Sequence, residues 1–159
     1  MRMHMKEAPV VRTGMLIRRP VEEVFEAIAD PSITTKFWFT KSSGRLEAGK
    51  RIRWEWEMYG VGTDVDVLEI EANRRILLNW SPPDIQSVEM VFTPFSDSET
   101  YLSVTNSGFK GDGDQAVQDA LDAMGGFTMV LCALKALLEH GIVRTIAESR
   151  LCGHIADFQ

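Results

Sequence analysis

The sequence predicts an α+β fold in which one curved antiparallel sheet wraps a long C-terminal helix. Three observations predict it. Alternating segments run almost without a break from about Lys41 to Ser107. One long amphipathic segment follows, from Asp114 to about His140. The links between strands are short, which makes sequence neighbours antiparallel. A single sheet followed by a single long helix has one economical packing, with the sheet curled around the helix. A sheet curled this way can enclose a cavity between its concave face and the helix.

Residues Pro9 to Arg18 read as the first strand, with Val11, Thr13, Met15 and Ile17 on one face. Pro20 fits a first helical position, where its missing N–H costs nothing, and Val21, Val24, Phe25 and Ile28 recur at helical spacing. Asp30-Pro31 ends that helix and caps a second short one, Pro31 to about Phe37. Lys41 to Leu46 reads as a second strand, and Glu47 to Lys50 as a turn. In the third strand Ile52, Trp54, Trp56 and Met58 alternate with Arg51, Arg53, Glu55 and Glu57, one face dry and one wet. Tyr59-Gly60 turns the chain into Val61 to Glu71, whose alternation breaks between Val67 and Leu68, the mark of a bulge. Asn73-Arg74 leads to Ile76 to Ser81, and Pro82 to Asp84 is a loop. Gln86 to Pro94 and Thr100 to Ser107 complete the sheet. Gly108 to Gly113 links it to the helix, whose apolar stripe reads Val117, Leu121, Met124, Leu131, Leu134 and Leu138. Gly125-Gly126 within it costs about 1 kcal/mol per glycine against alanine, so a bend or a close backbone approach is expected there.

With 159 residues the chain fits one domain. A domain of this size buries roughly 68–70% of its unfolded surface and needs no disulfide or metal staple. The net charge of −6 argues against a nucleic-acid partner. Lys50, Arg51 and Arg53 are followed by Glu55 and Glu57, the pattern of a solvated strand face. No apolar run reaches the ~18–20 residues of a spanning helix, and Met1 to Pro9 lacks a signal-peptide core. Membrane insertion is therefore not expected, and the default location is cytoplasmic. Cys132 and Cys152 suggest no disulfide framework, and Cys132 reads as a small core hydrophobe.

The order strand, two short helices, six strands, long helix is the helix-grip arrangement. The stretch RRPVEEVFEAIADPSITTKFWF, residues 18–39, resembles the opening of the START-like superfamily, also called SRPBCC and shared with the birch-pollen allergens. More narrowly, the chain resembles bacterial homologues of the activator of the heat-shock chaperone ATPase. Arg19-Pro20 and Trp38-Phe39 match the family's helix opening and closing pairs, and Gly49 its glycine before the third strand. Val67 to Glu71 with Arg75 and Trp80 matches a further motif, as do Thr105, Ser107, Gly108 and Phe109. Gly126-Phe127, Leu131, Leu134-Lys135, Leu138-Glu139 and Gly141 match the helix motif. Phe127 stands where tryptophan is usual, and Ala72 where proline is usual. The resemblance covers about residues 9–141 and implies a hydrophobic pocket between sheet and helix. It implies no single chemistry, because members of the superfamily include lipid carriers, hormone receptors, aromatic cyclases and chaperone activators.

These limits divide the chain into a flexible tail (1–8), the START-like domain (9–141) and an apolar extension (142–159). The extension exceeds the minimal family pattern. Ile142, Val143, Ile146, Leu151, Ile155 and Phe158 would form a large apolar patch if left in water. An ordered segment is therefore expected, with a short helix near Val143 to Arg150, docked on its own sheet or on a second copy as a homodimer.

Little in the sequence points to catalysis. His4, His140 and His154 all lie outside the sheet and the helix interior, and His140 suits a helix C-terminus. No metal-ligand spacing occurs; Cys152-Gly153-His154 is too short a pair. Neither a metal nor a cofactor is expected. Asp64, Asp66 and Glu69 could act as acid or base if buried, but their strand positions read as solvent-facing, as does Glu89. The aromatic and large apolar residues are the binding candidates. Trp54, Trp56 and Met58 share a face, and Leu78 and Trp80 join it from the next strand. Phe92, Phe109, Met124, Phe127 and Leu131 can complete the wall, with Trp38 and Phe39 near the mouth. The same residues would also make a plain core. The reading is a non-enzymatic binder of a small hydrophobic or amphipathic molecule. The alternatives are a cyclase- or hydratase-like enzyme using an inward carboxylate, and a chaperone-binding regulatory module.

Overall fold

The computed structural model describes residues 8–143. Both tails, with His4, Cys152, His154 and the expected helix after Val143, lie outside the described residues. Strand β1 (Val11–Ile17) is followed by helices α1 (Val21–Ala29) and α2 (Pro31–Thr34). Then come β2 (Lys41–Ser42), β3 (Arg51–Trp56), a 3-10 turn (Glu57–Tyr59), β4 (Val61–Glu71), β5 (Arg75–Trp80), β6 (Gln86–Ser96), β7 (Glu99–Ser107) and α3 (Gly113–His140). The strands form one antiparallel sheet in the order β1-β7-β6-β5-β4-β3-β2. The chain thus has the helix-grip fold, with the curved sheet around α3 and two short helices after β1.

Local chemistry explains each boundary. The Asp30 side chain accepts from the Ser32 N–H at 2.9 Å, capping α2, and from the Ser32 hydroxyl at 2.8 Å; these bonds hold its carboxyl below the usual range. The buried Thr34 hydroxyl bonds to carbonyls of the α1 end, Ala27 at 2.9 Å and Asp30 at 2.8 Å, and so locks the corner between the helices. The bulge falls where the alternation breaks, between Val67 and Glu69. It reverses which parity faces inward: Val65 and Val67 are buried before it, and Ile70 packs on the core after it. Asp112 caps α3 by accepting from Gln115 N–H at 2.9 Å, and Gly141 closes it in the left-handed region with φ 70°.

Five expectations need correction. The second strand is two residues long, because the Ser42 hydroxyl turns back to Gly44 and the chain leaves the ladder. The third strand ends at Trp56; the 3-10 turn then carries Met58 out into solvent. The buried stripe of α3 is not the one drawn through Val117, Leu121 and Met124. In its first half the helix turns Ala116 and Ala120 inward, while Leu121 is 63% exposed. Finally, α3 is long and apolar enough by length and composition to cross a membrane. Here it is the core helix: Phe127, Leu131 and Leu134 belong to the main buried cluster. The Gly125-Gly126 pair does not break α3, and a Cβ at Gly126 would have no atom within 4 Å.

Side-chain bonds hold the C-terminal half of α3 against β1. Lys135 Nζ donates to the Leu16 carbonyl at 2.7 Å and to Glu139 Oε2 at 2.6 Å. The Arg18 N–H donates to the same carboxylate at 2.9 Å. Burial raises the Glu139 pKa, but these donors outweigh it and hold the carboxyl below its usual value. Nearer the middle, Thr13 and Thr128 hydroxyls meet at 3.2 Å.

Candidate functional site

The sheet alternation sorts its residues onto two faces. Outward, Arg51 pairs with Asp66 and Arg53 with Asp64, while Arg75 reaches Glu69 and Glu89. The carboxylates considered as acids or bases are thus in ion pairs on the outer face. The hydrogen bond from Arg51 holds the Asp66 carboxyl below the usual range. Inward, the columns are apolar along most of their length. On β7, Leu102 and Val104 are buried, and on β6, Val88, Met90 and Phe92. Both columns end in an amide at the same end of the sheet: Asn106 on β7 and Gln86 on β6.

At that end a cleft of about 550 Å³ opens between α3 and the sheet. Its walls are aromatic. Trp80 and Phe127 stack with ring centroids 5.5 Å apart, and Trp38 meets Trp56, Trp80 and Phe127 edge-on at 6.1–6.4 Å. Tyr59, Val61, Phe109, Met129 and Val130 complete the apolar lining. On the helix side the small residues Ala123 and Gly126 sit among Asp119, Asp122, Phe127, Met129 and Val130.

Of the residues singled out from the sequence, Trp38, Trp56, Trp80, Phe109 and Phe127 line this cleft. Phe39, Trp54, Leu78, Phe92 and Leu131 do not: they are buried behind it in the core, with Phe39 stacked on Trp54 at 4.4 Å. Met58 and Met124 are also corrections, both 38% exposed and outside the lining. Trp38 is a buried hub rather than a free gate at the mouth.

Sequence reasoning missed the polar lining, which comprises Gln86, Asn106, Asp119 and Asp122. The signal was present, since extending the inward columns of β6 and β7 by one step reaches Gln86 and Asn106. Asn106 Nδ2 donates to the Ser87 carbonyl at 2.9 Å and, at 3.4 Å, to Gln86 Oε1, which also accepts from Trp80 Nε1 at 3.4 Å. Asp119 and Asp122 stand at the rim one turn apart and accept from Gln115 and Gln118. Among the described residues no cluster of His, Cys, Asp and Glu could hold a metal ion, and His140 sits at the far end of α3. The cleft can therefore take up an apolar, flat molecule and offer it amides at one end and carboxylates at the rim.

A family model described as "Activator of Hsp90 ATPase homolog 1-like protein" matches residues 18–139. No curated protein matches the chain. Protein SSP2350 of Staphylococcus saprophyticus has 30% identity and a TM-score of 0.75, over 86% of this chain and 96% of its own. The Aha1 dimer of Colwellia psychrerythraea, solved in solution, has 17% identity and a TM-score of 0.72, over 84% and 98%. The di-domain ARO/CYC protein BexL from the BE-7585A biosynthetic pathway has 18% identity and a TM-score of 0.68, over 82% of this chain and 46% of its own. The chain belongs to the Activator of Hsp90 ATPase homolog 1-like family, within the START-like helix-grip proteins.

Proposed function

We propose that this protein is a cytoplasmic, non-enzymatic binder of a small hydrophobic or amphipathic molecule, held between α3 and the open end of the sheet. One observation carries the reading: an aromatic-walled cleft of about 550 Å³ lies where the helix presents Ala123 and Gly126. Sites for small molecules commonly occupy roughly 300–1,000 Å³ and combine apolar walls with a few placed polar groups. The stacked Trp80 and Phe127 and the edge-on Trp38 favour a flat ligand.

Titration with the neutral fluorophore N-phenyl-1-naphthylamine tests this. Saturable enhancement is expected, at least about fivefold weaker in Trp56→Ala, because one wall is lost. Gly126→Leu, which puts a side chain into the empty volume, should abolish it. Enhancement that never saturates, or that Gly126→Leu leaves intact, would overturn the reading.

A cyclase- or hydratase-like activity is the second reading, supported by the rim carboxylates Asp119 and Asp122 and by the fold shared with BexL. Turnover lost in Asp119→Asn or Asp122→Asn would favour it. As to partners, the Colwellia protein is a dimer in solution. A homodimer through residues 142–159 is the corresponding proposal here, and light scattering with and without that segment decides it. The chaperone-binding reading would need an exposed contact surface instead.

A further inference from the structure

The polar end of the cleft defines what kind of group it accepts. Asn106 is fully buried and lines the cleft, and its Oδ1 has no hydrogen-bond partner among the described residues. Its orientation follows from its neighbours. Nδ2 is held by the Ser87 carbonyl, an acceptor only, so the oxygen must be the other amide atom. Gln86 is fixed similarly: Trp80 Nε1 can only donate, so Oε1 faces it. Gln86 spends that one oxygen on Trp80 and Asn106, and its Nε2 has no partner among the described residues. The polar end of the cleft thus holds one orphaned acceptor and one unengaged donor on two side chains that meet, since Asn106 Nδ2 lies 3.4 Å from Gln86 Oε1. Among the described residues no lysine, arginine or histidine lines it, and two carboxylates stand at its rim.

We infer that the cleft selects an uncharged aromatic ligand bearing a hydroxyl, which donates to Asn106 Oδ1 and accepts from Gln86 Nε2. A buried acceptor without a partner is costly, so a ligand that supplies the missing donor gains more than one that merely fills the volume. A carboxylate cannot supply it. It would bring a negative charge to a site with no cation among the described residues and with Asp119 and Asp122 nearby. The same two groups therefore favour a phenol or alcohol and reject an acid of the same shape. This inference rests on the cleft being a binding site.

Three naphthalenes of one shape separate the two ideas. NMR titration of the full chain at pH 7 compares 2-naphthol, 2-methoxynaphthalene and sodium 2-naphthoate. The naphthol should bind about five- to tenfold tighter than the methyl ether, which keeps the acceptor oxygen but lacks the donor. The naphthoate should bind weakest. In Asn106→Leu, similar in volume, naphthol and methyl ether should bind equally, and retained binding of the methyl ether shows that the cleft is still folded. If that variant does not fold, the wild-type ranking alone decides. Equal binding of naphthol and methyl ether to the wild-type protein, or preference for naphthoate, overturns the hydroxyl inference but leaves the binding cleft standing. Binding of none of the three overturns both.

Discussion

The two halves of α3 face two different interiors. Toward its C-terminus the helix presents Phe127, Leu131, Ala133 and Leu134, all in one buried cluster with Ile17, Phe25 and Phe92. Phe25 meets Phe92 edge-on at 5.3 Å, so α1 and the sheet close over that end. Toward its N-terminus the same helix packs Ala116 and Ala120 on Val11 and Phe109 in a small second cluster, and between the two clusters Ala123 and Gly126 border the cleft. One sheet and one helix thus make a packed core at one end and an open site at the other. Side-chain size on a single helix face decides which. Dense packing stabilises the fold, and the open end can stay open because the closed end carries that task.

The largest expected effect probes the closed half. Leu134→Ala should cost about 2–5 kcal/mol in urea unfolding, the range for deleting a fully buried leucine, and should leave N-phenyl-1-naphthylamine binding within about twofold of wild type. A cost far below that range would mean the two ends are packed alike.

A more direct comparison uses two positions on the same helix face. Gly126 and Ala133 are two turns apart, so their side chains point the same way. Ala133 is buried and Gly126 looks into open space. Ala133→Leu should overpack the core and cost about 1–3 kcal/mol, whereas Gly126→Leu should cost nothing. Equal losses from both would remove the distinction between the halves.

The polar clamp on the closed half should show in the pH dependence. Glu139 has a folded pKa below its ordinary 4.5 because the Arg18 N–H and Lys135 outweigh its burial. A depressed acid contributes stability above its unfolded pKa and loses it as pH falls through the folded one. Glu139→Gln should therefore lower stability by about 1–2 kcal/mol at pH 7, and the difference from wild type should shrink as pH drops below 4.5. A difference that stays constant down to acid pH would show that the carboxylate's charge does not matter there.

How legible was this in the sequence? Period-two alternation has a unique physical reading, so Ile52, Trp54 and Trp56 against Arg51, Arg53 and Glu55 place β3 and its faces. The break at Val67-Leu68 likewise locates the bulge. What failed were judgements that need volume. Met58 continues the alternation on paper, but the backbone turns 3-10 after Trp56 and takes it away. Leu121 and Met124 are the large residues of their helix segment, so an apolar stripe drawn by size runs through them. The helix instead turns its alanines inward, because close approach to the Val11 and Phe109 cluster leaves no room for leucine. Asn106 escaped because an asparagine near a strand end ordinarily reads as a turn residue. Its inward position follows only from continuing Leu102 and Val104 by one more step.

The smallest effect concerns Gly126 itself. A glycine inside a helix costs about 1 kcal/mol against alanine, and the usual reasons to keep it are a kink, a positive φ or a close neighbour. None applies here: α3 is continuous through the position, and a Cβ would meet no atom within 4 Å. Gly126→Ala should thus raise stability by about 0.4–1 kcal/mol, partly by restricting the unfolded chain. One methyl group takes little of about 550 Å³, so N-phenyl-1-naphthylamine should still bind within about twofold of wild type. The series glycine, alanine, leucine at this one position then separates two quantities that the closed half cannot separate, with stability rising at the first step and binding lost at the last. Should alanine already destabilise the fold, the space beside Gly126 is not open, and the contrast between the two ends of α3 goes with it.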